Sequence, residues 1–364
     1  MILGLFERLG RKALFQFDPE TAHGLSIKAL KSGLPVALSP RIDPRLKVSA
    51  AGLTFDNPLG MAAGYDKNAE VPDALLRLGF GFAEVGTITP LPQQGNPKPR
   101  IFRLTEDEAI INRLGFNNEG HDAAERRLTA RAWRAGIVGV NIGANKDSAD
   151  RIHDYEQGVR RFASIASYLT VNISSPNTVG LRDMQARANL AELLARVVAA
   201  RDAATPTAGR KVPLFLKIAP DLSQAELDDI AAEVIANSIE GVIVSNTTIA
   251  RPELKSGSSA NETGGLSGKP LFERSTIVLA RMRRLLGPKI AIIGVGGVDS
   301  GETALEKICA GADLVQLYTA MIYAGPALPG RIVSTLSRLV AKQGLNSISE
   351  LRDSRLGHWT AKSL

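Results

Sequence analysis

Asparagine recurs in this chain at the points where short apolar runs give way to polar residues. An amide side chain offers donors and an acceptor, so several amides around one cavity suit a flat ligand with alternating C=O and N–H edges, such as a pyrimidine or a flavin ring. A single asparagine at such a point is usually a turn residue, but recurrence at successive runs favours ligand binding. These asparagines are Asn112, Asn141, Asn172, Asn177 and Asn246.

Two lysines, Lys67 and Lys217, also stand at the ends of apolar runs. Lysine is rarely buried without an anionic or polar partner. One interpretation places one lysine on a substrate carboxylate and the other beside an electron-rich ring. The alternative is a salt bridge to a neighbouring aspartate, Asp66 or Asp221. Both interpretations are consistent with the sequence.

Ser175 follows a further apolar run and precedes Pro176. Ser-Pro is a turn signal, but a serine can act as a base where its environment carries the proton onward. No histidine–aspartate arrangement accompanies Ser175, so a hydrolase triad is not predicted. Read alone, the serine is a turn residue; its place among the asparagines and lysines makes it a site candidate.

The elements that would position these residues repeat along the chain from residue 58. Eight short, almost wholly apolar runs alternate with helical patterns, which predicts parallel strands buried on both faces. Eight such units predict an α/β fold, a closed (β/α)₈ TIM barrel whose site lies at the carboxyl ends of the strands. The insert at 88–136 is expected to add structure over the barrel mouth. The runs are 59–63, 82–87, 137–142, 168–173, 214–218, 241–244, 290–295 and 314–318.

A phosphate site is expected after the last two strands. The pair Gly296-Gly297 follows the seventh run, and Tyr318-Thr319 follows the eighth. Barrels often bind phosphate at these loops, where backbone N–H groups and a helix N-terminus face the anion.

Three segments flank the predicted barrel, which spans 58–340. Residues 1–34 predict an amphipathic helical hairpin, either packed on the barrel as an extension or dipping into a membrane surface. Residues 35–57 predict a linker and a short β-hairpin that caps the barrel bottom. Residues 341–364 predict a C-terminal helical tail.

Composition excludes several classes of protein. One cysteine, Cys309, rules out a disulfide framework and a multi-cysteine metal site, and four histidines make a histidine-rich metal site unexpected. The net charge is +7, but the arginines at 126, 127, 131 and 134 predict a solvated helix face and not a nucleic-acid surface. No apolar stretch approaches the roughly 20 residues of a spanning helix, and no signal peptide is predicted.

Four segments together resemble the dihydroorotate dehydrogenase family, in particular its quinone-linked, membrane-associated class (class 2). They are Ala-Ala-Gly-Tyr-Asp-Lys at 62–67, Ile-Asn-Arg-Leu-Gly-Phe-Asn at 111–117, Asn-Ile-Ser-Ser-Pro-Asn-Thr-Val-Gly-Leu-Arg at 172–182 and Gly-Val-Gly-Gly at 294–297. The resemblance extends from the N-terminal hairpin to Tyr318-Thr319, and no single segment would suffice for it.

The resemblance implies FMN in the barrel mouth and dihydroorotate beside it. The implied FMN residues are Ala63, Gly64, Tyr65, Asp66, Lys67, Thr87, Asn141, Asn172, Lys217, Ser245, Gly268, Gly297, Tyr318 and Thr319. The implied substrate residues are Lys67, Asn112, Arg113, Leu114, Gly115, Phe116, Asn172, Asn177, Asn246 and Thr247. Relatives often carry threonine where this chain has Ser245, and the hydroxyl is retained.

The implied reaction oxidises dihydroorotate to orotate in pyrimidine (UMP) biosynthesis, with Ser175 as the base and a quinone as the final electron acceptor. The soluble class uses cysteine at that position, whereas Cys309 is expected to be a small core residue. The hairpin at 1–34 is the second mark of the quinone class, in which His23 and Arg103 match positions near a quinone tunnel.

The absence of a targeting peptide and of a spanning helix favours a bacterial protein, peripheral on the cytoplasmic face of the inner membrane, and no obligate partner chain is expected. Three alternatives compete with the quinone class. They are a soluble dihydroorotate dehydrogenase that uses fumarate or a nicotinamide-linked partner chain, a flavin enzyme acting on RNA such as a dihydrouridine synthase, and a non-catalytic phosphate-binding barrel. The serine base and the hairpin favour the quinone class.

Overall fold

Eight parallel strands close into a barrel in the computed structural model, which describes residues 10, 12–33, 42–178 and 180–364. Around the barrel each strand pairs with its neighbours in chain order, and the last pairs with the first. The (β/α)₈ prediction is therefore confirmed. The barrel strands are β3 (Leu59–Met61), β4 (Phe82–Ile88), β7 (Ile137–Ile142), β8 (Tyr168–Asn172), β9 (Leu214–Ile218), β10 (Gly241–Val244), β12 (Ala291–Val295) and β13 (Leu314–Leu317).

Helices follow the strands on the outside of the barrel. Local signals start several of them: Asp150 caps one helix, and Ser223 forms a capping box with Glu226 at another. The helices are α2 (Pro72–Arg77), α4 (Arg151–Phe162), α5 (Arg187–Ala208), α6 (Gln224–Ala236), α7 (Phe272–Leu286), α8 (Gly301–Cys309), α9 (Thr319–Ala324) and α10 (Leu328–Lys342), with α3 (Gly120–Ala130) in the insert.

The bottom of the barrel is filled by aromatic rings and covered by the predicted hairpin. Strands β1 (Val48–Ala50) and β2 (Leu53–Phe55) pair antiparallel, and Phe55 packs edge-on against Phe82 with ring centroids 5.1 Å apart. Inside the barrel, Tyr168 lies 5.1 Å from Phe215. Glycine makes room for these rings, because a Cβ on Gly139 would lie 2.1 Å from the Tyr168 ring. This packing confirms that the hairpin caps the barrel bottom.

A second sheet lies at the opposite end, over the mouth. It is antiparallel and contains β5 (Ile101–Leu104) and β6 (Ala109–Asn112) from the insert and β11 (Gly265–Gly268) from a distant loop. Leu104, Ile111 and Leu266 form a small buried cluster within it. The sheet brings Asn112 and Gly268 to the barrel mouth, although 152 residues, 113–264, separate the strands that carry them.

The N-terminal segment packs beside the mouth sheet through α1 (Pro19–Lys31), which Asp18 caps. Arg100 donates to both Glu20 carboxylate oxygens, and Lys31 binds Glu70. Residues 12–15 are helical. The rest of the first predicted helix, residues 1–9 and 11, and the linker at 34–41 lie outside the described residues.

The C-terminal segment packs on α7 and α8 through α11 (Leu356–Thr360) and the turn before it. The Arg355 N–H donates to the Cys309 carbonyl, and Cys309 is buried, as predicted for a small core residue. The prediction of a solvated arginine face is only partly right. Arg131 is buried and pairs with Asp73, because α2 presents that carboxylate to it.

Within the described residues, no helix has both the length and the hydrophobicity needed to cross a bilayer. The same part of the chain contains no group of three or more histidine, cysteine, aspartate or glutamate side chains that could bind a metal ion.

Candidate active site

A cavity of about 750 Å³ opens at the carboxyl ends of the barrel strands and continues along α1. It is bordered by the ends of seven barrel strands, by the mouth sheet and by the N-terminal segment. Its wall includes most of the residues predicted from the sequence. These are His23, Ala63, Gly64, Tyr65, Lys67, Thr87, Arg103, Asn112, Leu114, Gly115, Phe116, Asn172, Ser175, Asn177, Lys217, Ser245, Asn246, Thr247, Gly268, Gly297, Tyr318 and Thr319.

Amide and hydroxyl groups at three adjacent strand ends form one hydrogen-bonded array. Thr87 donates to Asn141 Oδ1 at 2.6 Å, and Asn172 Nδ2 donates to Thr87 Oγ1 at 2.9 Å. Asn246 Nδ2 extends the array to Ser174 Oγ, which donates to Asn172 Oδ1. These contacts fix the orientation of each amide, so the array presents a defined pattern of donors and acceptors to a flat ring.

A buried carboxylate beneath the array fixes the orientation of one of its amides. Glu84 points into the barrel interior and accepts from Asn141 Nδ2 at 2.7 Å. Its other oxygen accepts from Tyr168 Oη at 3.0 Å and Gln316 Nε2 at 2.9 Å. Asn141 must therefore turn its amide nitrogen downward and its oxygen toward Thr87, which decides the polarity of the whole array.

Lys217 ends β9 inside the cavity, with 5% of its surface exposed. Burial lowers the pKa of Lys217, and the charge of Glu84 partly opposes that shift. Within the described residues, its ammonium has no carboxylate at ion-pair distance, because Asp221 binds Arg182 instead at 2.9 Å. The predicted alternative of a Lys217–Asp221 salt bridge is thus wrong. A buried cation facing an open cavity suits an anionic ligand.

Lys67 lies where the barrel mouth meets α1. Its Nζ is 3.3 Å from His23 Nε2, and His23 Nδ1 is 3.3 Å from the Tyr318 hydroxyl. Burial lowers the pKa of Lys67 to about 8, and burial together with Lys67 lowers the pKa of His23 well below its usual range. The neighbouring Asp66 accepts the N–H groups of Glu70 and Val71, so it does not neutralise the lysine.

Ser175 lies in the cavity wall just after β8 and is 5% exposed. Its hydroxyl oxygen accepts the Asn177 N–H at 3.2 Å, which is the local turn contact expected of a Ser-Pro sequence. It is nonetheless brought beside the amide array and the lysines. Ser175 therefore makes the turn contact and also lines the cavity.

Arg182 organises the loops around the site, a role that the sequence did not indicate. It donates to the Ser174 carbonyl at 3.1 Å, to Asp221 and to the Thr247 carbonyl at 2.9 Å. One guanidinium thereby ties together the loops after β8, β9 and β10. Ser174 was also missed. Its only signal is its spacing of two from Asn172, which places both side chains on the same side of an extended segment.

Three predicted residues do not belong to the described wall of this cavity. Asp66 accepts the N–H groups of Glu70 and Val71 just before α2, and Asn141 is fully buried behind Thr87 and Asn172. Arg113 faces away, binds Glu262 at 2.7 Å and lines a smaller pocket. Of the three, Asn141 binds two residues that do face the cavity, Thr87 and Asn172.

The far end of the cavity is lined by backbone. Gly297 has φ +72°, and a Cβ there would lie 2.4 Å from Phe272 Cβ, so only glycine allows the loop to lie this close to α7. Gly268 and Thr319 line the same end, where the Ser267 and Thr319 hydroxyls are 2.8 Å apart. Exposed backbone N–H groups and hydroxyls are the chemistry that binds a phosphate.

A comparison with family models decides the family. The model described as dihydroorotate dehydrogenase matches residues 45–340. The chain belongs to the dihydroorotate dehydrogenase family. Membership implies a flavin cofactor, and the cavity fits one, with an amide array for the ring and the buried Lys217 for its negative charge.

Similar proteins agree with this assignment across the whole length. A dihydroorotate dehydrogenase (quinone) from Mesorhizobium japonicum is 73% identical over 362 residues, 100% of either chain. A second, from Rhizobium leguminosarum bv. trifolii, is 67% identical over 359 residues, 99% of either chain. A crystal structure of DHODH from Eimeria tenella in complex with ferulenol has a TM-score of 0.87 and 43% identity, with 93% of this chain and 95% of that chain covered.

Proposed function

We propose that this member of the dihydroorotate dehydrogenase family oxidises dihydroorotate to orotate in pyrimidine biosynthesis, with FMN as its cofactor and a quinone as the final electron acceptor. The observation that carries the proposal is the continuity of the cavity. The same space borders Ser175 and the asparagines, the glycine-rich end suited to a phosphate, and the apolar wall of α1.

Dihydroorotate would be oriented by charge and by its ring amides. Lys67 supplies a cation for the carboxylate, and Asn112, Asn177 and Asn246 supply amide groups for the ring edges. These residues come from four separate parts of the chain, so the substrate is enclosed by loops held in place by the barrel and the mouth sheet. Such fixed orientation accounts for a large part of the rate gain in this kind of site.

Ser175 would remove the proton from C5 of dihydroorotate. FMN, when bound, supplies the acceptor for the hydride that leaves C6. Lys217 stabilises negative charge that develops beside it, because a buried ammonium acts strongly at short range. Cys309, the base residue type of the soluble class, is buried in α8 and lines no part of the described cavity.

The quinone would enter along α1. The cavity wall there is formed by apolar side chains of residues 13–30, with His23 and Arg103 at its inner part. Arg103 is held by the Phe17 carbonyl at 3.0 Å and lies over the Phe15 ring. Residues 1–34 would thus form both the quinone tunnel and a peripheral contact with the cytoplasmic face of the inner membrane.

The proposal is tested by the colour of the purified protein. We expect a yellow protein whose flavin absorbance bleaches when dihydroorotate is added without oxygen. Ser175→Ala should keep the FMN but bleach at least about 100-fold more slowly, since a positioned base contributes 10² to 10⁴ in rate. Stopped-flow absorbance measures both.

Mass spectrometry of the chromophore released from the protein distinguishes FMN from riboflavin and so identifies the cofactor directly. A colourless protein, or a yellow one that dihydroorotate does not bleach, would contradict the proposal. If Ser175→Ala bleached at the rate of the unchanged protein, the proposed reaction would stand but Ser175 would not be its base. Asn177→Ala serves as a control that perturbs substrate orientation while leaving the serine hydroxyl present.

A further inference from the structure

Lys307 is a fully buried lysine that the proposed reaction does not use. It lies on α8 with 0% of its surface exposed, and within the described residues no carboxylate is at ion-pair distance from it. Its Nζ donates to Ser275 Oγ at 2.6 Å and is 5.0 Å from the centroid of the Phe272 ring. The chain therefore buries a basic group against the first turn of α7.

That first turn of α7 supports the loop of Gly296 and Gly297 at the far end of the cavity, called the glycine loop from here on. The Ser275 hydroxyl lies 3.2 Å from the Gly296 carbonyl, and a Cβ on Gly297 would collide with Phe272. Gly296 and Gly297 both line the cavity. Lys307 thus reaches the cavity wall through the Ser275 hydroxyl, and its Nζ also lies 3.5 Å from the Phe272 carbonyl.

The position of Lys307 is costly unless negative charge arrives nearby. Burial of an unpaired ammonium is unfavourable, and burial lowers the pKa of Lys307 well below its usual range. The glycine loop is the part of the wall whose backbone suits a phosphate. An anion bound at this loop would offset the cost of the buried lysine, and the lysine would in turn favour the anion.

We propose that Lys307 is a positioning residue for the phosphate end of the flavin. It holds the first turn of α7 against Gly296 and Gly297 and places a basic group behind the loop. This inference rests on the proposed function in that it takes FMN as the cofactor.

The test compares two flavins that differ only in the phosphate. FMN and riboflavin are titrated into deflavinated full-length protein, and flavin fluorescence gives each Kd. For Lys307→Met, which keeps most of the aliphatic side chain, we expect FMN to bind about tenfold more weakly, because the support of the loop and the basic group behind it are both lost. Riboflavin should stay within about twofold of its affinity for the unchanged protein.

Two further variants make the result decisive. Ser275→Ala removes the hydroxyl between Lys307 and Gly296 and, like Lys307→Met, should lower the ratio of FMN affinity to riboflavin affinity. If Lys307→Met does not fold, the Ser275→Ala ratio tests the proposal. Ile308→Val, the next buried residue of α8, removes packing without touching a polar group and should leave the preference unchanged.

An equal loss of FMN and riboflavin affinity, or no loss of either, would overturn the role of Lys307. The proposed cofactor fails in a different way: the unchanged protein would then bind FMN no better than riboflavin. The two failures are read from different samples and cannot be confused.

Discussion

Lys67 and Lys217 keep their charges available because the acidic residues near them in sequence are engaged elsewhere. Asp66 accepts two backbone N–H groups at the start of α2, and Asp221 binds Arg182. Each aspartate thus serves the loops that hold the site. Both lysines line the cavity, where a ligand carboxylate or a reduced ring would meet them.

The lowered pKa of Lys67 predicts how substrate use depends on pH. Its pKa of about 8 means that the cation is present below pH 8 and is lost as the pH rises through that value. A neutral amine does not attract the carboxylate, so kcat/KM for dihydroorotate should fall about tenfold per pH unit above 8. Steady-state kinetics between pH 6 and 10 measures this.

A bound carboxylate favours the cation, so the corresponding fall in kcat should occur at a higher pH than the fall in kcat/KM. Lys67→Met should have a low kcat/KM with no such alkaline fall. If the unchanged enzyme and Lys67→Met share the same alkaline profile, Lys67 does not bind the substrate carboxylate.

At the scale of elements, α3 is attached to α4 by a buried histidine. His121 packs edge-on against Phe162 with ring centroids 5.1 Å apart, and its Nε2 has no hydrogen-bond partner in the described part of the chain. Burial and the nearby Arg161 lower the pKa of His121 to about 4. The ring is therefore neutral in the folded protein at pH values where an unfolded chain would bind a proton.

This difference predicts an acid sensitivity that belongs to the α3–α4 contact. Because the folded pKa is depressed, the stabilisation is complete above pH 6.5 and is lost as the pH falls through about 4. The loss is up to about 3 kcal/mol of the free energy of unfolding. Chemical denaturation of the protein at pH 7 and at pH 4.5 measures it.

His121→Leu keeps a buried apolar group in this position and should lose less stability between those two pH values than the unchanged protein does. Leu128→Val, at another buried position of α3, offers a matched control, since it removes packing without a titratable group and should not alter the pH dependence. Equal acid sensitivity of the His121→Leu variant and the unchanged protein would refute the prediction.

At the scale of the whole molecule, the cavity joins two regions with separate chemistry. The barrel end carries the polar array, and α1 supplies an apolar wall at the other side. Lys67, His23 and Tyr318 form the contact between the two regions. An electron-transfer enzyme needs this arrangement, because a polar and an apolar substrate must both approach one cofactor without sharing a binding surface.

Removal of residues 1–34 should separate the two half-reactions. We expect the shortened protein to be bleached by dihydroorotate at close to the normal rate, because Ser175 and the asparagines remain in the barrel. Reoxidation by a long-chain quinone should be at least about tenfold slower, since the apolar wall that would bind its tail is gone. Stopped-flow absorbance follows both steps.

A small water-soluble dye is the control acceptor, and it should reoxidise the shortened and full-length proteins at similar rates. Unchanged turnover with the long-chain quinone would reject the tunnel. Slow reoxidation by the dye as well would indicate damage to the barrel mouth and not loss of a quinone site.

Much of the fold and of the site could be predicted from local sequence. The barrel strands follow the predicted runs to within two residues at their ends, because a strand buried on both faces needs an apolar run regardless of its neighbours. Ser175, Lys217 and the asparagines were found because barrel sites form at strand ends, which the sequence marks by a change from apolar to polar residues.

Contacts between distant segments were decided by the tertiary structure alone. Arg182 joins three loops, Arg131 is buried on Asp73, and Lys307 lies behind the glycine loop. Such contacts depend on distances through space, and no periodicity or spacing along the chain encodes them. The sequence by itself determined which elements form and which residues stand at the mouth. The tertiary structure decided which charges are paired and which remain free for a ligand.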